Sequence, residues 1–155
     1  MNWLQILGPS LLMVIGGIVT WFIKSRVEEL RAIEEKLRDD RRKIYEKILD
    51  PYISLFSKKD SQTIQEAIRK VSSYDYKKTA FNLFLFGSDE VVKSYNALMK
   101  HTWKTNKDGE QNPREMIRLW GCLLLEIRKS LGNKKTNLEE LDMLRGIIPD
   151  IGSGN

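Results

Sequence analysis

The chain has 155 residues, with 26 Lys or Arg against 21 Asp or Glu, a formal net charge of +5 and a single cysteine. One cysteine excludes an intramolecular disulfide and fits a reducing compartment. An excess of +5 with no arginine-rich stripe among exposed aromatics argues against a nucleic-acid partner.

Charged residues make up 30% of the chain and the mean hydropathy is −0.40, yet residues 3–23 contain no Asp, Glu, Lys or Arg. As a helix rising about 1.5 Å per residue, that run reaches roughly 31 Å, the thickness of one hydrocarbon core. Leu4, Ile6, Leu7, Leu11, Leu12, Val14, Ile15, Ile18, Val19, Phe22 and Ile23 each favour insertion and together outweigh Gln5, Pro9 and the glycines. Trp3 and Trp21 sit near the two ends, where indole rings prefer the interface. A cleaved leader needs a basic start and a small-residue cleavage site, and the run has neither. The expectation is a retained transmembrane helix over residues 3–23.

Lys24, Arg26 and Arg31 follow the run directly, whereas no basic side chain precedes it. The positive-inside rule then puts the N-terminus outside and the rest of the chain in the cytoplasm, with these three residues at the level of anionic lipid headgroups. Ser10, Met13, Gly17 and Thr20 share one helical face with Gly16 beside them. Small residues let helices approach closely, so this face predicts self-association in the membrane.

Residues 24–50 read as a charged stalk helix, free of Gly and Pro. Glu34 to Arg38 and Asp39 to Lys43 have the acid-first i,i+4 spacing that supports a solvated helix. Gly16, Ile23, Leu30, Leu37 and Ile44 recur every seven residues, while the companion row of Thr20 and Val27 turns polar at Glu34 and Arg41. A seam apolar on one row only predicts weak helix pairing.

Residues 51–149 read as a bundle of four or five helices, with residues 150–155 a loose tail. Tyr52, Ile53, Leu55 and Phe56 continue the stalk past a kink at Pro51. Asp60 or Ser61 caps a helix carrying Ile64, Ala67, Ile68 and Val71 on one face. Tyr76, Ala80, Phe81, Leu83, Phe84 and Leu85 form an apolar block ended by Gly87; period alone allows a strand over residues 81–86, but without a partner strand a helix is expected. Ser88 then caps a helix with the stripe Val91, Val92, Tyr95, Leu98, Met99 and Thr102. After a loop at Asp108-Gly109, Asn112-Pro113 opens the most apolar helix, with Glu115 placed for a capping box and Gly132 as its stop. Its apolar residues, from Met116 to Ile127, cover most of the circumference, so this helix is expected to be central. Thr136 and Glu139 suggest a further capping box and a short helix with Leu138, Leu141 and Leu144 inward.

Chemistry-bearing patterns are missing. The sequence has no Gly-rich phosphate loop, no paired His or Cys spacing for a metal and no Ser-His-acid set, so no catalytic, cofactor-binding or metal-binding residues are expected. His101 reads as a boundary histidine and Cys122 as a small apolar residue within a helix. One cluster is a candidate anion site: Arg128, Lys129, Lys134, Lys135 and Thr136 bracket a turn that leads into the expected helix start. Its competing reading is that the basic residues complement a helix end and keep the turn solvated.

In residues 86–92, Phe86-Gly87-Ser88-Asp89-Glu90-Val91-Val92, and residues 42–47, Arg42-Lys43-Ile44-Tyr45-Glu46-Lys47, the chain resembles a loose group of small, uncharacterised bacterial membrane proteins. The resemblance covers most of the chain but rests on caps and packing residues. It implies an all-helical cytosolic domain behind one span in a bacterial inner membrane, and it transfers no site residues. The functional expectation is therefore a non-enzymatic assembly module whose partners are itself, the lipid bilayer and a cytosolic protein. The alternative is a membrane effector in which ligand or partner binding to the bundle acts on the transmembrane helices.

Overall fold

The computed structural model describes residues 3–57, 61–108 and 112–148, which form five helices and connecting turns with no strand. These are α1 (Trp3–Ser57), α2 (Ser61–Ser72), α3 (Tyr74–Phe86), α4 (Asp89–Asp108) and α5 (Pro113–Ser130). The expected all-α class is observed. Side chains of residues 3–12, 55–57 and 105–108 lie outside the description, as do Asp60, Gly109 and residues 149–155, so the expectations for Ser10, Leu55, Phe56, the Asp60 cap and the tail fall there.

Contacts divide the chain into two compact units, Met1–Asp39 and Asp40–Asn155. The described residues of the first are helix alone. Every residue from 13 to 40 is exposed. Local ion pairs line this helix, at 3.9 Å between Lys24 and Glu28 and 2.8 Å between Arg26 and Glu29. Exposed pairs of this kind contribute only about 0.3–0.5 kcal/mol each. Near the boundary, Lys43 reaches Asp40 at 3.6 Å rather than the expected Asp39.

The second unit is a bundle built on α5. Trp120, Gly121, Leu123, Leu125 and Ile127 of α5 are buried, and the residues between them are half-buried, so the helix is covered nearly all round as its apolar composition requires. Packed along it, α4 contributes Val91, Tyr95 and Leu98 from its expected stripe. From α1 come Tyr45 and Ile48, and from α3 Tyr76 and Leu83. Burying one large apolar side chain contributes about 1.5–3 kcal/mol, so this cluster is the main source of the unit's stability. No charged residue is buried among the described ones.

Pro51 does not end α1, which continues to Ser57. A proline inside a helix removes one backbone hydrogen bond and crowds the preceding turn. Here packing on both sides outweighs that loss: Tyr45 and Ile48 are buried before it, and the Tyr52 ring meets Trp120 edge-on at 4.4 Å after it.

Helix ends follow their local signals, with two revisions. Asn112 caps α5 by accepting from the Glu115 N–H at 3.2 Å, with Pro113 in the first turn. The Glu115 carboxylate does not complete a capping box; Arg118 grips both its oxygens, at 2.7 and 2.9 Å. At the other end of α5, Gly132 has φ 116°, and the N–H groups of Gly132 and Asn133 donate to the carbonyls of Lys129 and Arg128. This closing pattern needs a left-handed residue, which glycine supplies without strain. Gly87 ends α3 at φ −66°, so its role there is room, since a Cβ would come within 2.5 Å of the Leu83 carbonyl oxygen.

The short helix expected after Thr136 is not formed. Residues 139–148 make successive turns, with Leu144 N–H donating to Leu141 O at 3.1 Å and Ile147 N–H to Leu144 O at 2.9 Å. Asp142 accepts from the Glu139 N–H at 2.9 Å, a local side-chain bond that competes with helical pairing. Leu144 alone of the three expected inward leucines is fully buried; Leu141 is half-buried and Leu138 exposed. The segment is held by contact with α5: at Gly121 a Cβ would collide with the Glu140 carbonyl oxygen.

Candidate functional site

The most conspicuous surface of the chain is the uncovered length of α1. Met13, Val14, Ile15, Ile18, Val19, Trp21, Phe22 and Ile23 are all at least half exposed, and Val27, Leu30, Ile33 and Leu37 continue apolar surface through the charged stretch. An isolated helix in water is marginal, and large contiguous apolar patches on soluble surfaces mark interaction sites. This surface is chemically suited to lipid, to another helix, or to both in succession. The heptad row ends at the bundle: Ile23, Leu30 and Leu37 are exposed, whereas Ile44 packs against the core of the second unit.

Within the expected association face, Met13 is 78% exposed, and neither Gly16 nor Gly17 has anything within 4 Å of a Cβ placed on it. Thr20 donates its hydroxyl to the Gly16 carbonyl at 2.8 Å, a bond internal to the helix that leaves no polar hydrogen unmet. Ser10 lies outside the described side chains. Of the basic flank, Lys24 and Arg26 are tied to Glu28 and Glu29, the Arg26 guanidinium also lies 5.5 Å from the Phe22 ring centre, and Arg31 is exposed. Among the described residues no helix is long and apolar enough to cross a membrane. The described side chains of the uncharged run begin at Met13, so they cover about half of the ~20 residues that a crossing requires.

The candidate anion residues around Gly132 are placed differently from their expectation. The Arg128 Nε lies 3.4 Å from the Thr136 hydroxyl and Lys129 is paired with Glu126 at 2.7 Å. Lys134 and Lys135 are exposed. With turns rather than a helix after Thr136, the row of free N–H groups that a helix start would offer is not assembled.

Two polar nodes lie inside the bundle, and neither was singled out from the sequence. The Tyr76 hydroxyl donates to Tyr52 Oη at 3.3 Å and lies 3.4 Å from Tyr95 Oη, joining α1, α3 and α4. Burial raises the pKa of all three phenols, and contact with Tyr52 and Tyr95 raises that of Tyr76 further. Phenols held neutral in this way serve as structural donors and acceptors. The second node is Tyr45, whose oxygen lies 2.8 Å from Ser130 Oγ and accepts the Ser88 N–H at 3.3 Å. Only the tyrosines themselves are visible in the sequence; what assembles them is the crossing of helices far apart in the chain.

Cys122 is half-buried, less enclosed than a core position, and burial pushes its thiol up, with the Glu140 charge adding to the effect. A thiol shifted that way is a poor nucleophile. His101 is half-buried, as a boundary residue should be, but its Nε2 is shut from solvent with no hydrogen-bond partner among the described residues. No cluster of metal-ligating side chains is assembled among the described residues.

The outer faces of α2 and α3 hold several of the apolar residues that the sequence groups on one face or in one block. Ile64 and Ile68 of α2 are exposed beside buried Ala67, and Phe81, Phe84, Leu85 and Phe86 of α3 are exposed beside buried Leu83. Each helix buries a narrow edge instead of its whole stripe: Ala67 in α2, and Tyr76 and Leu83 in α3. Neither a family model, nor a curated protein, nor a solved structure matches the chain.

Proposed function

We propose that the chain is a non-enzymatic, self-associating single-pass membrane protein. In this reading residues 3–23 cross a bacterial inner membrane with the N-terminus outside, and the helical unit is a cytoplasmic assembly or partner-binding module. The observation that carries it is the uncovered helix: from residue 13 to residue 40 no side chain is buried by the rest of the chain. The apolar part of that stretch belongs to an uncharged run of bilayer length, and the polar part bears one apolar row suited to a second copy.

The test is cysteine cross-linking in isolated membranes on a Cys122→Ser background. The full chain is expected to stay with membranes through an alkaline carbonate wash. Leu30→Cys and Leu37→Cys are expected to form disulfide dimers, and Ala32→Cys, about 200° around the helix from position 30, is expected to form few. A chain released by carbonate, or equal cross-linking at positions 30 and 32, would overturn the proposal.

A second reading is favoured by the length of α1, which runs from Trp3 to Ser57. Here ligand or partner binding to the bundle acts on the membrane segment and permeabilises the bilayer. Dye release from liposomes carrying the full chain separates it from a purely assembling role.

A further inference from the structure

We propose that the groove where α1, α2 and α3 meet binds a hydroxyl-bearing phosphate ester. Its basic lining is drawn from three helices: Lys47 from α1, Lys70 from α2 and Lys78 from α3. Lys70 is neutralised by Asp50 at 3.1 Å. Lys47 and Lys78 make no ion pair among the described residues. Lys47 and Lys78 line the same groove from two helices, and an anion bound there would be attracted by both. Lysine binds phosphate as a point charge, and a phosphate oxygen cluster can accept from several lysines at once.

The remaining lining completes the recognition set. Ser73 caps α3 by accepting from the Tyr76 N–H at 3.2 Å, which leaves its own hydroxyl hydrogen free to donate into the groove. Asn82, half-buried on α3, offers a further amide donor. Asp50 and Asp75 also line the groove; they disfavour a bare polyanion and accept from ligand hydroxyls, which is why a phosphate on a hydroxylated body fits better than phosphate alone. The groove is open to solvent and offers about 540 Å³, a volume within the roughly 300–1,000 Å³ usual for small-molecule sites. It lies wholly within the second unit and does not depend on residues 3–23 crossing a bilayer.

The test uses the full chain in nonionic detergent, with ribose 5-phosphate as the soluble probe and phosphatidylglycerol added to the micelles as the lipid one, both followed by calorimetry. Saturable binding of either probe is expected. It should weaken at least roughly tenfold in Lys47→Gln/Lys78→Gln, since hydrogen bonds to charged groups are the strong ones. The double variant Lys134→Gln/Lys135→Gln should bind as the parent does. Circular dichroism of the ligand-free variants checks that each is folded, and Asn82→Asp, which adds a negative charge, should also lose binding. Binding of the soluble probe assigns a free metabolite; binding of the lipid alone, lost in the same variants, assigns a headgroup. No saturable binding of either probe, or equal loss in both lysine pairs, overturns the proposal.

Discussion

The Tyr45 and Ser130 hydroxyls meet at 2.8 Å although 85 residues separate them in the chain. Tyr45 is 1% exposed, and the same oxygen takes the Ser88 N–H at 3.3 Å, so one phenol fastens α1 to the end of α5 and to the start of α4. Tyr45→Phe keeps the ring and removes both bonds, leaving a Ser88 N–H unpaired. It is expected to destabilise the bundle by about 1–3 kcal/mol, with Ser130→Ala costing less. Chemical denaturation of the single and double variants checks this; strictly additive effects would show that the two hydroxyls are not coupled.

The linked phenols of Tyr52, Tyr76 and Tyr95 give the chain an alkaline limit. All three have pKa values raised above 10.0 in the folded state, burial being the largest cause. An acid whose folded pKa is raised binds its proton more tightly folded than unfolded, so the stability it contributes is full below about pH 10 and is lost as pH rises beyond it. These three phenols are expected to ionise at higher pH than a free tyrosine, with loss of structure accompanying their ionisation. Absorbance at the tyrosinate band, recorded alongside circular dichroism, should show them titrating with the loss of helix.

Tyr76 is the middle member of that chain of hydroxyls, bonded on both sides. Tyr76→Phe strands the Tyr52 and Tyr95 hydroxyls together and is expected to cost about 1–3 kcal/mol, more than either Tyr52→Phe or Tyr95→Phe. Equal losses at all three positions would deny the central role of Tyr76.

Gly121 is buried on α5 where the Glu140 backbone lies against it. Gly121→Ala improves helix propensity but forces the two segments apart. A net destabilisation of about 1–3 kcal/mol is expected, with faster proteolysis within residues 131–148. Stabilisation instead would mean that the segment moves aside without cost.

Gly16 and Gly17 stand in open space within the chain. Leucine at both positions therefore meets no intramolecular obstacle, and any effect on assembly reports contact with another molecule. The double variant is expected to lower the mass of the detergent-extracted complex while the circular dichroism of the bundle is unchanged.

Helix identity was legible in the sequence wherever a local signal sufficed. Asn112-Pro113 placed the start of α5, Gly132 its end, and the stripe of α4 its buried face, because caps and periodicity act over a few residues. Where two signals competed, the local one lost. Thr136 and Glu139 announced a helix, but the bond from Glu139 to Asp142 and the contact at Gly121 favoured turns. At Pro51 the expected continuation past the proline is observed, and packing around Tyr45 and Tyr52 carries the helix to Ser57.

What the sequence by itself determined is the sharp contrast between an uncharged run and a charged remainder, the helical class, and the helix ends. Those follow from hydropathy and from hydrogen bonding within a turn or two of the chain. Tertiary structure alone decided which apolar faces are covered, since Ala67 and Leu83 are buried while Ile68, Phe81 and Leu85 on the same helices are exposed. It also decided which polar atoms meet, as Tyr52, Tyr76 and Tyr95 do, and which lysines share one groove, as Lys47, Lys70 and Lys78 do. Proximity between residues distant in sequence depends on how helices cross, and no short stretch of the chain encodes that crossing.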